Sequence, residues 1–372
     1  MSGGLRASKM EDWLRCQIKA ATGENDANCR IAELAGYLAR LGRFEECREL
    51  IAVLKKTNEV VPKVALSIRI HLAEGFVCYF ESCGVGISDG VQRAYALSAA
   101  SGMRDLQALS AAWLAQYAHS TIDVHGIHRY VSESFRLAAP DDHGSRARAC
   151  LVVAQLLHLG DRFDLAKIWY LRAKNHAING RDGATVGALI HSMAWHRMLV
   201  LRQAVLTNID SMAARANVLE SAASAEHFGT LVGNTAWQKL QPLLQAQIVS
   251  LLGNAAQALI LYGEHLTVKN VPRRWQANLL ADRAWCHAVC GEPDLCLYYV
   301  SKSIESIEND TRIDDRAATY SRLSQIFEKV QNIAEAERYQ VLANESWIEF
   351  SNLLKTGIDY LSTLREDGQT GS

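Results

Sequence analysis

Short breaks at nearly even steps divide this 372-residue chain, and no other feature constrains its fold so strongly. They fall at "LGR" near Gly42, "ESCGVGISDG" from Glu81, "DVHGIH" from Asp123, "LGDR" near Gly160, "LLGN" near Gly253, "CGEPD" near Gly291 and "VQNI" near Gln331, with a further turn near residue 203. Between them Ala, Leu, Arg, Glu and Gln abound and apolar residues recur at three and four. That is the period of helices with one buried face, and no alternating Val/Ile/Thr run suggests a strand. Each break is short enough to join antiparallel neighbours, so the chain reads as all-α, built from helix pairs that repeat about every 40 residues.

The helix after each break repeats one spacing. Cys47, Ile51 and Leu54 follow Gly42; Val131, Phe135 and Ala138 follow Gly126; Ala166, Tyr170 and Ala173 follow Gly160. Cys296, Val300 and Ser303 follow Gly291, and Ala336, Gln340 and Ala343 follow Gln331. Steps of four and then three stay on one helix face, where small residues let a neighbouring helix approach closely. On the preceding helix, "TYSRLSQIFEKVQN" places Tyr320, Leu323, Ser324 and Phe327 on a single face.

Together these patterns resemble the tetratricopeptide repeat family, most clearly from Cys29 to Pro62 and from Arg312 to Glu349. Ala35 and Ser324 stand where that family commonly has glycine, Cys47 and Cys296 where it has alanine, and the period is longer. A lone helix pair cannot bury both of its apolar faces, so pairs must stack. The expectation is an α-solenoid, a right-handed superhelix of about eight helix pairs with a concave groove. Residues 28–350 form the array. Residues 1–27 contain an N-terminal capping helix (Glu11–Ala21), and 351–372 a C-terminal one (Asn352–Leu364) followed by a frayed tail, Arg365–Ser372.

Charge is uneven. From His143 to Arg202 nine Lys and Arg face three Asp, whereas from Ser301 onward eight basic side chains meet thirteen acidic ones. A basic middle and an acidic end within a nearly neutral chain argue against nucleic acid as partner; the basic stretch fits either a solvated convex face or an electropositive groove for acidic peptides. No apolar run is long enough to span a membrane and the first residues lack a signal-peptide core, so a cytoplasmic protein is expected. Nine cysteines, an odd number scattered through helical patterns, fit reduced, buried usage.

Chemistry-bearing motifs are few. "WCHAVCGEPDLC" holds Cys286, His287, Cys290 and Cys296, but no second cysteine pair follows at zinc-finger spacing and Cys296 occupies a small position of the repeat. Eight of the twelve histidines lie between His119 and His196, including His125 and His128, and His191 and His196. Of these two pairs only the first has a carboxylate in its motif, Asp123, so the histidines read as half-buried or groove-lining donors. No phosphate-binding loop, nucleophile elbow or zinc-protease motif occurs. Neither a metal nor a cofactor is expected.

Tryptophans spread through the array, among them Trp113, Trp195, Trp237 and Trp275, read as wedges between repeats. Trp285 lies off the packing stripe and is expected to face the groove, with Arg148, Arg197 and Arg202 as charged contacts. The expected function is therefore a non-enzymatic scaffold or adaptor that holds a peptide or protein segment. The alternative is a ligand-responsive regulator, similar to the helical sensor modules of bacterial transcriptional or quorum-sensing proteins and acting through a partner chain.

Overall fold

A computed structural model describes residues 9–82, 89–209, 212–265, 271–307, 311–364 and 366. Residues 83–88 of the break that starts at Glu81, and Arg365 and 367–372 of the tail, lie outside these. Among the described residues every regular element is helical: α1 (Lys9–Lys19), α2 (Glu24–Arg40), α3 (Phe44–Val60), α4 (Val64–Glu81), α5 (Asp89–Ala100), α6 (Arg104–Thr121), α7 (Val124–Leu137), α8 (His143–Leu159) and α9 (Phe163–Asn179). Then come α10 (Gly183–Leu206), α11 (Met212–Arg215), α12 (Val218–Leu231), a 3-10 turn (Gln238–Leu240), α13 (Gln241–Leu251), α14 (Ala255–His265), α15 (Arg273–Val289), α16 (Pro293–Glu305), α17 (Ile313–Lys329) and α18 (Ile333–Ser362). None of the described helices is long and apolar enough to cross a membrane.

The breaks share one hydrogen-bond pattern. After α2 the Arg43 N–H donates to the Leu38 carbonyl at 2.9 Å and the Gly42 N–H to that of Ala39 at 3.0 Å, with Gly42 left-handed at φ 84°. This closes the last turn by satisfying its free carbonyls. Asp161 and Gln331 take the same conformation after α8 and α17 without glycine. Gly42 has a second constraint, because a Cβ there would lie 2.6 Å from the Ala236 nitrogen. Asp123, Asp142, Asp182 and Asn332 then cap the helices that follow, each accepting a backbone N–H three residues on.

Two layers result. The first helices of successive pairs (α2, α4, α6, α8, α10, α13, α15, α17) touch one another, and each carries its second helix on the outside. The outer helices bury one narrow stripe, as the spacing predicts: Cys47, Ile51 and Leu54 in α3, and Cys296, Val300 and Ser303 in α16. In α18 the register differs by one. Gln340 is exposed and Tyr339 takes the buried place, stacking on Phe327 with centroids 5.5 Å apart, because positions three and four along share the face and the larger apolar ring wins it. The inner helix α8 is covered all round: every residue from Ser145 to Leu159 is buried.

The C-terminal end departs from the expected separate cap. α18 runs unbroken for 30 residues, because its stripe continues through Trp347, Phe350, Leu354 and Leu361 with no proline or turn to stop it. Its second half lies on α7 and α8, where Gly357 leaves no room for a Cβ beside Val124 and Leu156. α10 touches α17, Arg40 of α2 reaches Asp182 at 2.6 Å, and Arg274 of α15 donates to the Ser120 carbonyl of α6 at 3.0 Å. The array therefore curls until its last pair meets its middle.

Candidate functional site

Where the curled inner layer meets itself, α4, α6, α8, α10, α15 and the segments before α13 and α17 surround a chamber of about 90 Å³. Three arginines reach its wall: Arg148, Arg274 and Arg312. Arg148 is 4% exposed. Its guanidinium lies over the Trp113 ring, 4.1 Å from the centroid, and its Nη1 donates to Gln116 Oε1 at 3.2 Å. Nε and Nη2 have no partner. Burial, reinforced by nearby Arg40, pushes Arg148 down to about 10, so it stays charged at neutral pH.

Arg274 is similar, stacked 4.8 Å from the Trp275 centroid with its Nε unpartnered, and lowered by burial and then by Arg312. Arg312 differs. Burial opposes its charge, but Asp314 and Asp315 outweigh that and hold it above its ordinary value, with two contacts of 2.6 Å to Asp314. No Asp or Glu lines the chamber among the described residues. Around it five guanidiniums (Arg40, Arg148, Arg202, Arg274, Arg312) share three carboxylates (Asp182, Asp314, Asp315).

Histidines complete the wall. His191 and His196 are each held at about 4 by burial, and His119 well below its usual value for the same reason, so all three are neutral at pH 7. His196 Nδ1 lies 2.7 Å from the Ser192 carbonyl, an oxygen that can only accept. Nδ1 therefore carries the proton and the bare Nε2, which has no partner, is an acceptor. Gln155 donates its amide N–H to Ser192 at 2.9 Å and leaves Oε1 unpartnered. His191 stacks on Trp237 with ring centroids 4.9 Å apart. Those two rings also line an outer recess of about 310 Å³ between α10, α12 and the start of α13, so they stand between recess and chamber.

The residues singled out from sequence are dispersed. Arg148 is in the chamber wall. Arg202, 3% exposed, lies in the adjoining ion network, 2.9 Å from Asp315 and 3.4 Å from Asp314. Arg197 is half-buried, donates to Ser221 and covers Phe163. Trp285 is half-buried far along α15, beneath Arg322, which pairs with buried Asp282 at 3.0 Å. The cysteine-rich motif is split: Cys286 faces Ser250, Cys296 packs in another cluster, Cys290 is exposed, and His287 meets Glu292 at 2.5 Å. His125 and His128 lie against Tyr360.

Gln116, Gln155, Arg274 and Arg312 were not legible as site residues, since each looks like an ordinary helix residue until the array closes. The clustered histidines and spaced tryptophans were the available signal. No family model, curated protein or solved structure matches the chain.

Proposed function

We propose that this chain is a ligand-responsive regulatory module whose central chamber holds a small anion. One observation carries this reading: a buried arginine, already anchored at Nη1 and over Trp113, keeps two N–H groups without a partner in a wall that has no carboxylate among the described residues. Leaving charge and donors uncompensated in a protein interior costs several kcal/mol, so such an arrangement suits an arriving counter-charge. Because α4, α6, α8 and α10 form the wall together with the later α15 and the segments before α13 and α17, a bound anion ties these parts of the curled array together and stabilises the closed form over any opened one. Output then passes through a partner chain that distinguishes the two.

Binding without catalysis fits the same wall. Ser192 Oγ lies 3.3 Å from His196, but that histidine, held at about 4 with its Nδ1 proton on a carbonyl, is a poor base near neutral pH. A scaffold reading keeps support from the outer recess, which could take part of an acidic peptide whose carboxylate enters the chamber.

Hydrogen exchange tests the proposal. A small organic acid is expected to slow exchange in the first turns of α15 and α17 and the middle of α10, and to raise the melting temperature. If small acids change neither and an acidic peptide does, the scaffold reading replaces this one.

A further inference from the structure

We infer that the anion is a small hydroxycarboxylate, its carboxylate held side-on by Arg148 and its hydroxyl donated to an unpartnered acceptor of the same wall. This rests on the anion-chamber reading above and narrows it. The two unpartnered groups of Arg148, Nε and Nη2, lie on the same edge of the guanidinium plane, with the third, Nη1, already committed to Gln116. Two parallel N–H donors on one planar edge match the two oxygens of a carboxylate. The Trp113 ring lies beneath the guanidinium, and the Nη1 bond to Gln116 sets the direction in which the free edge points.

Acceptors decide the rest of the ligand. Gln155 Oε1 and His196 Nε2 are both buried and unpartnered, and the Ser192 carbonyl forces the His196 proton onto the other nitrogen. A ligand made only of acceptor oxygens leaves these two unsatisfied and sets lone pair against lone pair. A ligand with a proton to donate satisfies one of them. An ammonium could also donate, but it would add positive charge where guanidiniums already outnumber carboxylates. A neutral hydroxyl adds none. The chamber, at about 90 Å³, suits an acid of a few carbon atoms.

Calorimetry on the full chain with matched acids tests this: lactate against propionate, malate against succinate, and inorganic phosphate. Each hydroxy acid is expected to bind at least about tenfold more tightly than its partner lacking the hydroxyl, because the deoxy acid leaves a buried acceptor unpaired. Arg148→Lys, which removes the planar edge but keeps the charge, is expected to weaken every acid about tenfold or more without abolishing the hydroxyl preference. Equal affinities within each pair, or phosphate tightest of all, would overturn the hydroxycarboxylate assignment and leave the anion chamber standing. Failure of every anion to bind the unaltered protein would overturn the chamber reading itself. Because the matched acids are compared on the unaltered chain, the test does not depend on a variant folding.

Discussion

Two buried arginine clusters lie side by side in the core and are finished differently. In one, Arg202 and Arg312 are matched by Asp314 and Asp315, with contacts from 2.6 to 3.4 Å. In the other, Arg148 sits over Trp113 with a glutamine as its polar partner and two N–H groups free. Both demanded the same desolvation of charge. Only the first meets carboxylates inside the protein. The first is a structural clasp that joins the middle of the array to its end; the second is the arginine on which the proposed anion site rests.

Acid gives the largest expected contrast, because the chamber side carries the histidines. His191 and His196 are held at about 4 and His158 at about 3, all mainly by burial, while an unfolded chain protonates near 6.5. Below that value the unfolded state binds protons that the folded state refuses, so stability is whole above about pH 6.5 and falls as pH drops toward 4. Each histidine adds a slope of up to about 1.4 kcal/mol per pH unit. Urea midpoints at pH 7.5 and 5.5 check this, and equal midpoints would mean that these rings titrate normally in the fold.

Breaking the clasp comes next. Arg202→Met leaves Asp315 without its 2.9 Å partner in a buried site and is expected to cost about 3–5 kcal/mol of unfolding free energy. Adding Asp315→Asn should recover part of that loss, since it removes the stranded charge. A single variant as stable as the parent would show that the clasp is ornamental.

The smallest effect is expected at Arg148. Arg148→Met removes an equally buried arginine, yet it strands no carboxylate at salt-bridge distance, and the loss of its contact with Trp113 roughly offsets the relief of desolvation. Stability without ligand should change by no more than about 1 kcal/mol, whereas anion binding should disappear. A loss as large as that of Arg202→Met would erase the distinction between clasp and site.

Much of the fold was legible. The left-handed turns at Gly42, Gly291 and Gln331 and the stripes of α3 and α16 follow from local spacing, which a helix converts directly into a face. The basic middle and acidic end were also visible, but not their meaning. Arg202 meets Asp314 and Asp315, and Arg172 and His176 meet Glu366, so part of the imbalance is neutralised within the chain. A charge count cannot say whether its complement is a partner or a segment more than a hundred residues away.

What the sequence determined by itself is local: helices of a certain length, the turns between them, and which stripe each outer helix buries, all set by interactions within a few residues. Closure was decided only by the tertiary structure. It turned a groove expected to be open into a chamber, moved Arg202 from a contact surface into a clasp, and brought Gln116, Arg148, Gln155, His196 and Arg274 to one wall. The physical reason is that curvature accumulates from small rotations between stacked pairs and is fixed by contacts such as Gly357 against Val124 and Leu156. No short stretch of sequence encodes such a contact.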